Sequence, residues 1–306
     1  MTDSRHQTAL CAVVHPGALP FLPAWCSSVA RQTDQSFDLC VALDGVTEAE
    51  LPELPGAGRR LRVVRPAPSS SPVKVRNALF GEVVESHEFV VAVDADDVLA
   101  PQRIAFAKQD VERADLAACA MELIDHAGVS LGRRFGALAD ASSDALARLL
   151  PRANVFGLSN TAWRAATLRA SLPAPPAVVA MDWYLATAAW LRGARLALDQ
   201  RPLMAYRQYA ANTASVVPPF TPEVVRAATT IVLGHQRAVA AHLAAAGGAH
   251  VAALRAARSA TERFAATVVA DAELLLEYCT ALDALPAPQA WWTIVAQPAL
   301  EDMWAS

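Results

Sequence analysis

The chain has 306 residues, 54% of them hydrophobic and 18% charged, with a formal net charge of −4. That length gives one large domain or two smaller ones with ample core, and that balance belongs to a globular rather than a disordered chain. No basic block stands out, which excludes nucleic-acid binding as the main task.

Thr8 to Val14 is an apolar run that stops at His15-Pro16-Gly17, so it reads as a strand followed by a turn. Leu22, Trp25, Cys26 and Val29 then recur at helical spacing. Phe37 to Leu43 reads as a second strand, and Asp44-Gly45 closes it. Asp44 is thus either a site residue at a strand's carboxyl end or a plain turn residue. Leu51 to Arg60 is a loop, and Leu61 to Val64 is a short third strand. Pro66 to Pro72, with three prolines and three serines, is irregular. Val75, Ala78, Leu79 and Val83 mark a helix, with Lys74, Arg76 and Asn77 expected in its first turn. Cations and amides beside free backbone N–H groups suit a phosphate, although a solvated helix start would carry them too.

The most informative stretch follows. Phe89 to Val93 is a continuous apolar run, which suits a strand buried on both faces. It stops at Asp94-Ala95-Asp96-Asp97, three carboxylates within four residues. Open α/β sheets bind ligands at the carboxyl ends of their strands. Clustered carboxylates raise one another's pKa, and a hard divalent cation, Mg or Mn, would relieve the repulsion. The alternative is a solvated acidic turn. Pro101 is expected in the first turn of the next helix.

Further along, Leu116 to Ile124 reads as a strand, Asp125 to Gly128 as a turn, and Asn154 to Arg164 shows no clear period. Asp182 precedes a helix carrying Trp183, Ala186, Trp190 and Leu191, ended by Gly193. Arg195 to Leu198 and Leu203 to Tyr206 read as two short strands. After Thr221-Pro222-Glu223 the chain turns helical: Val224 to Ala246, about Val251 to Val269, then a helix marked by Leu274, Leu275, Tyr278 and Leu282. His235 and His242 lie seven apart with no third ligand at metal spacing, so they read as structural or surface residues. The closing tryptophans, Trp291, Trp292 and Trp304, are expected to pack on the sheet or to form an interface.

The order of strands and helices predicts an α/β fold: a doubly wound, mainly parallel sheet flanked by helices, with a C-terminal helical extension. No Gly-x-Gly-x-x-Gly or Walker lysine motif is present, which disfavours dinucleotide and P-loop folds. No stretch offers the roughly 20 unbroken apolar residues of a membrane span. The apolar run near the N-terminus is too short for a signal peptide, and five scattered cysteines read as reduced thiols of a cytoplasmic protein.

Six features in order then resemble the family 2 glycosyltransferases, which use the GT-A fold. They are Gln32-Thr33, Asp44-Gly45, Arg76-Asn77, the D-x-D motif Asp94-Ala95-Asp96 with Asp97, Asp182-Trp183, and Tyr206-Arg207-Gln208 with Asn212-Thr213. The resemblance covers roughly Ala9 to Ser215. It implies a metal-dependent transfer of a sugar from a nucleoside-diphosphate sugar, a UDP-sugar by expectation, to an acceptor hydroxyl with inversion. Asp44, Arg76, Asn77, Asp94 and Asp96 would bind the donor. Asp96 and Asp97 would hold Mn or Mg, and Asp182 would be the general base. Residues 1–217 would form the transferase domain, its donor half ending near 100, and 218–306 a helical region suited to packing or a homodimer. Three positions depart from the family pattern: His15-Pro16-Gly17 after the first strand, Met181 before the proposed base, and Tyr209 where a histidine is common. The alternative that Met181 and His15-Pro16-Gly17 favour is a non-catalytic scaffold that binds a nucleotide or a partner subunit.

Overall fold

A computed structural model describes residues 7–55, 60–67, 70–209, 212–243 and 249–305. Its frame is one sheet, built first from the apolar runs. β1 (Thr8–Val14) and β2 (Asp38–Leu43) are buried along their whole length, as expected of strands covered on both faces. β3 (Leu61–Val64) pairs with β2, and β4 (Phe89–Ala92) pairs with β1, all parallel. The helices α1 (Leu22–Ala30) and α2 (Pro72–Val83) follow β1 and β3.

The second half continues the sheet with mixed direction. β8 (Thr161–Arg164) runs antiparallel between β4 and β6 (Leu116–Ile124), and β9 (Leu196–Arg207) runs parallel to β6. β5 (Val98–Leu99) closes one edge against β9, and β7 (Ser130–Phe135) pairs with β6. The resulting order is β3-β2-β1-β4-β8-β6-β9-β5, with β7 off the path. The helices α3 (Arg103–Arg113), α4 (Ser143–Leu149), α5 (Ala165–Ser171) and α6 (Met181–Leu191) complete this part.

Several local expectations shift. Pro101 lies in the turn before α3, not in its first turn. The helix α2 starts at Pro72, so Arg76 and Asn77 sit in its second turn. Asp182 lies inside the first turn of α6 rather than ahead of it. The two short strands near 195–206 are a single strand, β9, and its register against β6 breaks around Ala120. That break absorbs Pro202, which cannot donate to a ladder. The elements β5, β7, α4 and α5 were not foreseen, because their apolar residues are few and follow no sustained period.

The C-terminal helices are α7 (Pro222–Leu243), α8 (Ala249–Phe264) and α9 (Ala272–Asp283). A π-helical turn, Ala265–Val269, follows α8. The end of the first of these helices, as expected from the sequence, and the side chain of His242 fall outside the described residues. These helices share one apolar cluster with the sheet, from Leu10 through Trp183 to Val232, Phe264 and Trp291. His235 stacks on Trp183, with ring centroids 3.8 Å apart and planes 9° apart. Trp291 lies on Phe135 at 4.3 Å. No helix among the described residues is long and apolar enough to cross a membrane.

Candidate active site

Parallel pairing brings the carboxyl ends of β1, β2 and β4 to one edge, with Val14 opposite Leu43 and Cys11 opposite Ala92. His15, Asp44 and Asp94 emerge there. Together they line a cavity of about 670 Å³, whose other polar wall groups include Ser71, Arg76, Asp96 and Asp182.

The three carboxylates of Asp94, Asp96 and Asp97 place one oxygen each within 4.8 Å of one another. Burial, partly offset by Arg76, pushes the Asp94 carboxyl up to about 6. Arg76 Nη2 stands 3.9 Å from Asp94 Oδ1. Asp97 is 1% exposed and lies behind the cavity-lining Asp94 and Asp96. Its Oδ1 accepts the Arg207 N–H at 2.8 Å, and its Oδ2 accepts the Ser159 hydroxyl. Burial, then the neighbouring Asp96 and Asp94, drive its carboxyl well above the usual carboxylate range. Asp97, expected as a metal ligand, keeps its place in this carboxylate cluster while both of its oxygens also accept bonds from within the protein. Asp96 accepts the Tyr209 hydroxyl at 2.7 Å.

The donor set tests well against a divalent cation. All the oxygens are hard, they converge, and the protein provides too little positive charge for three carboxylates. Arg76 Nε and Ser71 Oγ are buried and have no partner in the protein. Both residues line the cavity beside the start of α2, where an anion would satisfy them. Asn77 does not join them. Its amide donates to the Ala174 carbonyl at 2.8 Å and accepts the Ala174 N–H at 3.0 Å. It ties α2 to the segment that leads into α6.

Asp182 approaches from that segment, in a part of the chain remote from the acidic cluster. Burial raises its carboxyl to about 6, against the lowering effect of the Trp183 N–H and of Arg76. The Trp183 N–H donates to Asp182 Oδ1 at 2.8 Å. The preceding residue, Met181, is buried, so no second carboxylate accompanies this one.

Other groups at the site left little trace in the sequence. Ser159 accepts the Asp94 N–H at 3.2 Å while it donates to Asp97, yet residues 154–164 show no period that would single it out. Arg207 donates to the Asp96 carbonyl at 2.7 Å and to the Asp125 and His126 carbonyls at 3.1 and 2.8 Å. Its guanidinium lies 4.5 Å from the centre of the Phe21 ring. The Tyr206-Arg207-Gln208 match pointed to it, without its role. Trp291 and Trp292 also line the cavity, from near the end of the chain.

No family model matches the sequence, and neither does any curated protein. Solved structures do match the fold. The 1–349 fragment of S. aureus TarS in complex with UDP-GlcNAc aligns with 90% of this chain and 88% of its own, at 15% identity and a TM-score of 0.53. A longer TarS structure aligns over 90% of this chain and 53% of its own, at 15% identity and a TM-score of 0.56. The mannosyltransferase PcManGT from Pyrobaculum calidifontis, in complex with GDP-Man and Mn2+, aligns over 99% of this chain and 88% of its own, at 16% identity and a TM-score of 0.51. The chain has the GT-A fold. In this GT-A sheet the cavity opens where β1, β2 and β4 end, with α6 supplying Asp182 from the second half.

Proposed function

We propose that this protein is a metal-dependent glycosyltransferase that moves a sugar from a nucleoside-diphosphate sugar to an acceptor hydroxyl with inversion. One observation carries the reading. A single cavity holds a converging carboxylate cluster, an arginine with an unsatisfied Nε, and a separate half-buried carboxylate at Asp182. Residues 1 to about 100 supply the donor half, 101–217 the acceptor half, and 218–306 support both.

Asp44 lies at the wall where the nucleoside would sit, and its carboxylate can accept from a base or ribose. Arg76 and Ser71 supply donors for the diphosphate, whose charge grows as the sugar leaves. Asp94 and Asp96 would hold Mn or Mg, with Asp97 behind them. When bound, that cation neutralises charge on the departing diphosphate. Asp182 takes the acceptor proton. Inversion needs a base on the face opposite the leaving group, and Asp182 comes from a different segment than the phosphate-binding groups. Its pKa of about 6 keeps it ionised at neutral pH and more basic than an ordinary aspartate. TarS in complex with UDP-GlcNAc supports a UDP-sugar as donor, while GDP-Man in PcManGT keeps guanosine in the test.

A second reading, a non-catalytic nucleotide-binding scaffold, draws on the Tyr209 hydroxyl that already occupies Asp96 and on Met181 beside Asp182. Calorimetric titration with UDP and GDP, with and without manganese, tests the site. A manganese-dependent heat with one of them supports it, and silence in a folded sample removes it. Asp182→Asn should then keep nucleotide affinity and lose transfer by about 100-fold or more, the usual contribution of a general base. Full turnover in that variant would place the base elsewhere.

A further inference from the structure

The cavity has two kinds of wall. Its charged groups come from the ends of β1, β2 and β4 and from α2, with Asp182 added from α6. The second half and the C-terminal end add uncharged wall: the apolar Leu158, Pro176, Val178, Met181, Trp291 and Trp292, beside neutral polar groups such as Tyr206 and Asn212. Arg76 is the only lysine or arginine among the described lining residues, and it faces Asp94.

The two tryptophans are held in place rather than merely buried. The Trp291 N–H donates to the Asn154 carbonyl at 2.8 Å, and the Asn154 N–H returns a bond to the Trp291 carbonyl at 3.2 Å. The Trp291 ring packs on Phe135, and Tyr206 meets its edge at 5.9 Å. Gly157 makes room for it: a Cβ there would stand 2.6 Å from Trp291 Cη2. Trp292 has a φ of 73°. A bulky residue in the left-handed region is uncommon, and such outliers collect where surrounding structure fixes a side chain for a purpose. Downstream, the Tyr278 hydroxyl donates to the Ile294 carbonyl and accepts the Gln297 N–H, both at 3.0 Å. The loop is pinned on each side of the pair.

We propose that Trp291 and Trp292 form the acceptor platform of this cavity, and that the acceptor is a neutral pyranoside that lays an apolar ring face on the indoles. The proposal rests on the transferase reading above. The C–H groups on one face of a pyranose carry slight positive charge and pack against the negative face of an indole. Such a stack, in the cavity that also holds Asp182, leaves an edge hydroxyl free to lose its proton to that carboxylate. A polyanionic acceptor would find one arginine, which faces Asp94, and carboxylates or uncharged groups over most of the remaining described wall.

The test is calorimetric titration of the full chain, saturated with manganese and whichever of UDP or GDP binds. The probes are the p-nitrophenyl β-glycosides of glucose, galactose and N-acetylglucosamine, with ribitol 5-phosphate as the anionic comparison. At least one glycoside should bind and ribitol 5-phosphate should not. Trp292→Ala should weaken the glycoside by about tenfold while nucleotide affinity stays unchanged, and Trp292→Phe should keep most of it. If Trp292→Ala fails to fold, Trp292→Leu against Trp292→Phe decides, since only the second retains an aromatic face. Glycoside binding indifferent to loss of the indole, binding of ribitol 5-phosphate alone, or no probe binding overturns the platform. Failure of both nucleotides to bind the unaltered protein is seen first, and it overturns the transferase reading itself.

Discussion

The Tyr209 hydroxyl donates to Asp96 Oδ2 at 2.7 Å, so a cavity-wall carboxylate is engaged by the protein before any ligand arrives. Tyr209 itself leans on Phe21, ring centroids 5.2 Å apart. Burial and the hydrogen bond to Asp96 raise its own pKa, so it stays a donor through neutral pH. A cation at Asp96 competes with this donor for the same lone pairs. Tyr209→Phe removes the competitor and leaves the ring packing. Manganese affinity should rise by roughly tenfold, equivalent to about 1.5 kcal/mol for a hydrogen bond to a charged group. Titration of manganese into the two proteins, with nucleotide present, checks this. Weaker binding in the variant would mean the tyrosine positions Asp96 rather than competing for it.

The raised pKa values of Asp94 and Asp182, both about 6, set a direction for the pH dependence of transfer. Both must be ionised to act, so activity should fall as pH drops through 6. Bound manganese favours the ionised form of Asp94 and pulls its pKa down. Under saturating manganese one limb should remain, near pH 6, with a tenfold fall per pH unit below it. At limiting manganese the fall should be steeper. A single limb near pH 4 at both metal levels would show that neither carboxylate retains its raised pKa in the complex. For the protein without ligands the stability effect runs the other way: protons bind the folded state more tightly, so these two groups favour folding more at pH 5 than at pH 7.

How much of this was legible beforehand follows from the kind of signal each part leaves. The parallel half of the sheet was visible because its strands are buried on both faces, which makes continuous apolar runs such as Leu10 to Val14 and Val90 to Val93. Asp44, Arg76, Asp94 and Asp96, singled out at strand ends and near a helix start, line one cavity. Asn77 and Asp97 were read with the ligand groups, and the structural bonds each also makes were not visible in the spacing. Their hydrogen bonds to Ala174, Ser159 and Arg207 span 62 to 110 residues of sequence. Trp291 and Trp292 were anticipated as packing or interface residues. Their place at the cavity depends on the route of three helices, which no local pattern encodes.

His235 gives a prediction independent of the cavity's chemistry. It is 2% exposed, neither ring nitrogen has a partner, and burial lowers its pKa to about 3. The folded state prefers the neutral ring. Its contribution to stability is therefore complete above the unfolded value of about 6.5 and declines as pH falls toward 3. That decline should amount to roughly 3 to 5 kcal/mol by pH 3. His235→Phe keeps an aromatic ring on Trp183 and cannot be protonated. Urea unfolding at pH 7 and pH 4.5 should show a smaller loss in the variant than in the unaltered protein. Equal losses would assign the acid sensitivity to other groups.

Gly157→Ala tests whether the C-terminal loop and the sheet half form one working unit. The added Cβ would lie 2.6 Å from Trp291 Cη2 and 3.1 Å from Cζ2, both atoms of a ring held by Phe135 and by the paired backbone of Asn154. The ring has no easy retreat, so the clash must move backbone. The cost expected for overpacking a filled site is about 1 to 3 kcal/mol, read as a lower urea midpoint with an unchanged slope. Arg76 and Asp96 are held by other elements, and the tie from this stretch to Asp94 is the Ser159 hydroxyl that accepts its N–H at 3.2 Å, so nucleotide and manganese affinity should fall by no more than that one hydrogen bond is worth, about tenfold. If stability and metal affinity instead collapse together, the tryptophan loop supports the carboxylate cluster directly. If neither changes, Trp291 is free to move in solution, and its close approach to Gly157 is not a fixed feature of the fold.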